Sequence, residues 1–454
     1  MLEKILQTIE VSRDSALERL REFLRIPSVS AKAEHFADVK ACAQWLADQF
    51  RAIGLECDVA PTQGHPIVVA KTPHVPGRPT VLIYGHYDVQ PVEPLELWKT
   101  PPFEPDVRDG AVFARGAADD KGQVGCHMEA VRAWARHGGV PVNLIFVVEG
   151  EEEIGSDNLS EFLRSRKDEL RADIAVISDT NQFDRGSPAI TYGLRGIVYL
   201  EVTLTGADHD LHSGMYGGAV PNPANVLCEL LGTLHDKDGR VSVPGFYDDV
   251  RELTSRERDE FARLMFDEAR FKRELGLLDV CGEAGYTTLE RRSARPTCDI
   301  NGLTSGYQGS GAKTIIPSMA SAKVSMRLVP NQDPTKIEAA FKQVLRDRCP
   351  KGVRIGFESH GGSPGIVVPI DSRAMELAAN AIERGFGKRP VFMREGGSIP
   401  VVGLIKQELG IDTLLVGFGL PDDRVHSPNE KFDLDAFYAG TCTAAALYDE
   451  LSRL

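Results

Sequence analysis

The chain has 454 residues, 42% of them hydrophobic and 26% charged, and a formal net charge of −14. That is the composition of a globular protein too long for one ordinary core, so the length favours two domains or more. The negative charge argues against nucleic acid and against an anionic membrane surface, because both require clustered Lys and Arg.

Eight cysteines include no Cys-x-x-Cys pair and read as reduced, mostly buried thiols. The start, Met1-Leu2-Glu3-Lys4, is charged and lacks a sustained apolar stretch, so no signal peptide is read. No run of about 18 apolar residues suggests a membrane span, and a cytoplasmic protein is expected.

Residues 12 to 53 read as helical, with Val39, Ala43, Leu46, Phe50 and Ile53 near the 3.6 period and Gly54 as a stop. A hairpin is expected over 56 to 72. The uniformly apolar run from Thr80 to Tyr84 then reads as a central strand. Lys121 to Arg136 reads as a helix with Asp120 as N-cap, and Val142 to Val148 and Ile174 to Ile177 supply further buried strands. This alternation implies an α/β domain: a mainly parallel sheet with helices on both faces.

Near Tyr192 the style changes. Val198 to Leu204 and Ala322 to Val329 alternate apolar and polar residues, while Asn222-Pro223 and Asp333-Pro334 open helices. With a strand at Val353 to Phe357, these compose an inserted α+β sandwich, interrupted by a charged, helix-prone stretch from about Asp248 to Leu277. From about Pro364 the α/β style resumes, with a helix from Ser372 to Gly385, a strand from Thr413 to Phe418 and a closing helix from Asp433 to Leu451. The expected boundaries are 1–191 and 364–454 for the catalytic domain and 192–363 for the insertion.

The chemistry concentrates at segment ends. His86 and Asp88, Asp119 and Asp120, the acids at 151 to 153, and Asp179 each close a segment that reads as a buried strand. The run from Thr413 to Phe418 leads into a loop carrying His426. Residues beyond the carboxyl ends of such strands converge on one crevice, and so many acceptors in one crevice require cations among them. Asp88, two residues from His86, can orient the imidazole from behind. Asp119 can bridge two cations, and Asp120 can cap the following helix. Among Glu151, Glu152 and Glu153 one acid can ligate while a neighbour takes a proton, with the register open. In the insertion, His212 can support a developing oxyanion, with His209 as an exposed neighbour. Arg327 can clamp a carboxylate, with Thr314 and Ser398 as polar partners.

Six segments carry a resemblance: Gly85-His-Tyr-Asp-Val-Gln-Pro91, Arg115-Gly-Ala-Ala-Asp-Asp-Lys-Gly122, Glu152-Glu-Ile-Gly-Ser156, Asp210-Leu-His-Ser-Gly214, Arg327-Leu-Val-Pro330 and His426-Ser-Pro-Asn-Glu430. In order along the whole chain, they resemble the co-catalytic dinuclear metallopeptidase superfamily of aminoacylase, acetylornithine deacetylase and the glutamate carboxypeptidases. The likeness is greatest to the branch of cytosolic non-specific dipeptidase and carnosine dipeptidase. The resemblance implies two divalent ions, Zn²⁺ or Mn²⁺, one held by His86, Asp119 and Asp179 and the other by Asp119, Glu153 and His426. It assigns Glu152 as general base and Asp88 as the carboxylate behind His86, and implies a cis peptide between Asp119 and Asp120. It also makes the insertion a lid and homodimer interface, from which His212 reaches the partner's site. Thr314, Arg327, Ser398 and His426 would contact the substrate.

The expected activity is hydrolysis of dipeptides with a free carboxylate, by a bridging water that Glu152 deprotonates. The alternatives are an N-acyl-amino-acid deacylase using the same site and a catalytically silent metal-binding scaffold.

Overall fold

The computed structural model describes residues 1–397 and 399–454. The chain forms two compact units, one of residues 1–192, 368–393 and 404–454, the other of residues 193–367 and 394–403.

In the first unit the strands Asn143–Glu149, Thr80–His86, Ile174–Ile177 and Thr413–Leu415 lie side by side and parallel. Every residue of Asn143–Glu149 is buried, so both faces of the sheet are covered and the strand needs no polar alternation. The hairpin Glu56–Ala60 and Ile67–Lys71 extends one side antiparallel. Beyond the parallel strands, Ala189–Leu194 also runs antiparallel, with Thr191 opposite Leu415.

The expected helices form at Phe36–Ala52, Lys121–Ala135, Arg373–Phe386 and Leu434–Leu451. Phe50 packs its ring against that of Phe146 on the sheet, with centroids 4.8 Å apart and planes tilted by 44°. Ser372 and Asp433 cap the last two helices through their side chains. Asp120 does not cap. It occupies the N-cap position, but its Oδ2 accepts the backbone N–H of His86 at 3.3 Å instead. An additional helix, Leu2–Val11, buries Ile5 and Ile9, one turn apart.

The second unit carries a four-stranded antiparallel sheet in the order Thr297–Ser305, Met319–Leu328, Gly196–Thr205, Arg354–Ser363. Val198, Leu200, Val202 and Leu204 point to one face with Val324, Met326 and Leu328, where they meet Leu227 and Leu230 of helix Pro223–Gly232 and Phe341 of helix Pro334–Arg348. Asn222 and Asp333 cap these helices, each with Pro at the first turn. The charged stretch forms separate helices, Ser255–Arg263 and Glu268–Leu275.

All eight cysteines are free, but fewer are buried than expected: Cys42, Cys126 and Cys298 are, while Cys228 and Cys281 are exposed. No helix among the described residues is long and apolar enough to cross a membrane.

Candidate active site

His86 ends the strand Thr80–His86 and is fully buried. Its Nε2 lies 2.9 Å from Asp119 Oδ1 and 3.9 Å from Asp179 Oδ2. On the other side of the ring, Nδ1 is 3.1 Å from the Asp88 carbonyl and 3.4 Å from that residue's Oδ1. Asp88 has a second duty, because its carboxylate accepts the backbone N–H groups of Glu152 at 3.3 Å and Glu153 at 3.1 Å. It thereby ties His86 to the short 3-10 turn Glu152–Ile154 that follows the strand Asn143–Glu149.

Asp119 is not at a strand end. The strand before it, Ala111–Phe113, belongs to a separate three-stranded sheet, and residues 114–120 form a buried loop. That loop hangs on Glu430, which the sequence reading left without a role. Glu430 accepts the N–H groups of Gly116 at 3.0 Å, Ala118 at 2.9 Å and Asp119 at 3.2 Å, and pairs with the Arg115 guanidinium at 2.8 Å. Its only sequence signal was its place in the run from His426 to Glu430. The peptide bond between Asp119 and Asp120 is cis.

Asp179 lies two residues beyond the end of the strand Ile174–Ile177. His426 lies in the loop after Thr413–Leu415, at a positive φ of 62°, and its Nε2 is 3.0 Å from Asp119 Oδ2 and 3.3 Å from Glu153 Oε2. Gln90, given no role beyond its place in the run from Gly85 to Pro91, donates to the same Glu153 oxygen at 2.7 Å. Glu149 braces the turn from below, accepting from the Tyr84 hydroxyl at 2.5 Å and the Ser156 hydroxyl at 2.9 Å.

Two groups of potential ligands emerge. His86, Asp119 and Asp179 form one, Asp119, Glu153 and His426 the other, and the ligand atoms within each lie within 4.8 Å of one another. Asp119 belongs to both. Among the described residues no Lys or Arg pairs with Asp119, Asp179 or Glu153; only imidazoles do.

The electrostatics reflect that shortage of positive charge. Burial opposes charge on His86, but hydrogen bonds to Asp119 and Asp88 raise its pKa well above the ordinary value. Hydrogen bonds to Asp119 and Glu153 lift His426 to about 10. Burial would raise Asp119, yet the two imidazoles outweigh it and hold this carboxyl low. Asp179 goes the opposite way although it also faces His86: burial, then Asp119 and Asp120, push it well up, because His86 gives its closest contact to Asp119. Glu152, outside both groups, is raised to about 7, chiefly by burial; His86 opposes the rise, and Glu153, Asp119 and Asp88 add to it. Buried Asp120 Oδ1 has no hydrogen-bond partner. Mixed imidazole and carboxylate groups short of positive charge fit divalent cations.

The remaining sequence candidates lie in the second unit. His212 is exposed on a two-stranded ribbon opposite Ile315, and its Nδ1 accepts the N–H of Gly214 at 3.0 Å. Thr314 immediately precedes the ribbon strand Ile315–Ile316, its carbonyl accepting the N–H of Ser213 at 3.1 Å. Arg327 is half-buried on the polar face of its strand, in register with Thr297 and Ile197. His209 is exposed and paired with Asp208. Ser398 lies outside the described residues.

The sequence pattern of Peptidase family M20/M25/M40 matches residues 82–450. The chain belongs to this family. It is 35% identical to the Cys-Gly metallodipeptidase of Schizosaccharomyces pombe, over all of this chain and 99% of that protein. It is 32% identical to the Beta-Ala-His dipeptidase of Homo sapiens, over 100% of this chain and 93% of the human protein. The crystal structure of human carnosine dipeptidase 1 superposes with a TM-score of 0.85 at 31% identity, covering 100% of this chain and 99% of that one.

Proposed function

We propose that this protein hydrolyses the peptide bond of dipeptides with a free C-terminal carboxylate, as a dinuclear metallo-dipeptidase. The observation that carries this reading is the sharing of Asp119 between two ligand groups, with a half-buried acid, Glu152, beside both and in neither. One divalent ion, Zn²⁺ or Mn²⁺, would be held by His86, Asp119 and Asp179 and a second by Asp119, Glu153 and His426. Such ions would supply Lewis acidity to the scissile carbonyl and acidify the attacking water.

Glu152, beside both groups and in neither, is placed to accept that water's proton and to return it to the leaving amine. Asp88 holds the imidazole of His86 and the backbone of Glu152 and Glu153 together, so a base and two ligands keep one geometry. Arg327, with Thr314, Ser398 and His426, is proposed to receive the substrate carboxylate.

The second unit is read as the lid and homodimer domain, from which the partner's His212 steadies the oxyanion. Its edge strand Thr297–Ser305 leaves Ile300 and Leu303 exposed, which favours a second copy pairing there. The names of the relatives favour dipeptides over N-acyl amino acids, and the complete set of ligands and base speaks against a silent scaffold. Assaying a set of simple dipeptides against N-acetyl amino acids, with Zn²⁺ or Mn²⁺ added, tests the reading. Faster turnover of dipeptides is expected, and exclusive turnover of N-acetyl amino acids would contradict it.

A further inference from the structure

The charged stretch that interrupts the second unit is not a solvated ornament. Glu257, on helix Ser255–Arg263, is buried, and its two oxygens are spoken for separately. Oε2 accepts the Thr254 N–H at 2.8 Å and the Arg251 guanidinium at 2.9 Å, while Oε1 accepts from Arg394. Arg394 is itself buried and packs over Gly193, where an added Cβ would come within 3.1 Å of its Cγ.

Arg394 leads into the turn Glu395-Gly396-Gly397. The carbonyl of Gly396 accepts from Arg195 Nε at 3.0 Å. A Cβ at Gly396 would lie 2.3 Å from the Arg292 carbonyl, at the end of helix Thr288–Ser293, and 2.9 Å from Arg195 Nη2. Only glycine allows so close a seat against another backbone. Arg195 also donates to the Arg295 carbonyl at 3.3 Å, just past that helix.

The two helices of the insert that touch this region are joined to one another by Arg258 and Glu290 at 3.2 Å. Beneath them Arg295 forms a bidentate pair with buried Glu283, at 2.7 and 2.8 Å. The insert is therefore a cross-linked body with one carboxylate and one backbone carbonyl committed to the approach and the seat of a single turn. A flexible glycine turn gains a fixed geometry only from such outside partners.

We infer that the insert, residues 248–296, positions the turn at 395–397, with Glu257 and Arg195 as the two positioning residues. This rests on the reading above that the turn leading to Ser398 meets the substrate carboxylate. Buried Glu257 accepts from the Arg394 guanidinium through one oxygen, so Glu257→Gln weakens the contact that fixes the approach to the turn.

The test uses the full-length, metal-loaded protein and the variants Glu257→Gln and Arg195→Lys. Amide hydrogen exchange over residues 394–403 is followed together with metal content and dipeptide kinetics. Exchange in that segment should accelerate at least tenfold and KM should rise at least tenfold, with kcat within threefold and metal content unchanged. Glu257→Asp should restore part of both losses. Wild-type exchange rates in both variants overturn the inference whatever KM does. Faster exchange with an unchanged KM supports the bracing and contradicts instead the substrate role of the turn.

Discussion

Glu430 accepts the backbone N–H of Asp119 at 3.2 Å, so the residue shared by both ligand groups hangs from the same loop that carries His426. The two loops meet again at the imidazole, 3.0 Å from Asp119 Oδ2. A residue that touches no proposed ion thus holds both sides of one.

Replacing Glu430 by Gln removes the charge facing Arg115 and weakens three N–H contacts to the loop at 116–119. Partners behind metal ligands typically change affinity by about 10- to 100-fold. Glu430→Gln should lose metal affinity in that range by equilibrium dialysis. Wild-type affinity would separate Glu430 from the metal centre.

Arg327→Ala should weaken free-acid dipeptides by about one to two orders of magnitude in kcat/KM, the worth of a charge-assisted pair. Their C-terminal amides should lose much less. Equal losses on acids and amides would remove Arg327 from carboxylate recognition.

If the partner's His212 completes each site, His212→Ala and Glu152→Ala are each inactive alone but complement when mixed. A heterodimer then holds one site with an intact base and an intact histidine. Partial recovery after mixing and subunit exchange is expected, and its absence argues against a contribution in trans.

His127 bears on stability rather than turnover. It is buried between the Tyr448 hydroxyl at 2.9 Å and the Ser178 hydroxyl at 2.8 Å, and burial lowers its pKa to about 3. The unfolded chain therefore binds the extra proton first. The contribution is full above about pH 6.5 and is lost as pH falls toward 3, by at most about 1.4 kcal/mol per pH unit. Comparing urea unfolding of the wild type with His127→Gln from pH 6.5 to 5 isolates this group. Identical acid sensitivity of the two proteins would show that His127 is not buried in its neutral form.

What could be read in the sequence follows the physics of each element. His86 and Asp179 were legible because one ends and the other closely follows a uniformly apolar strand, whose burial on both faces leaves a recognisable run. Asp119 was recognised as a shared acid but given the wrong support. Its loop follows a strand of only three residues, too short for any period to appear, and its anchor is more than 300 residues away. The register among Glu151, Glu152 and Glu153 was open to residue logic, since all three follow the same strand; the turn beginning at Glu152 separates them only in three dimensions. Glu151 turns away, accepting the His65 N–H at 2.8 Å and the Asn158 side chain at 2.7 Å. The capping role given to Asp120 failed: its Oδ2 accepts the His86 N–H and its Oδ1 makes no hydrogen bond.

The central claim is a division of labour: Asp119 shared by two ions, and Glu152 outside both groups as the base. Glu152→Gln keeps the shape and removes the proton acceptor, so metal content and dipeptide turnover of the purified variant should be measured on one preparation. Two ions per chain with turnover reduced by at least three orders of magnitude is the predicted result. Two ions with turnover near that of the wild type would contradict the account.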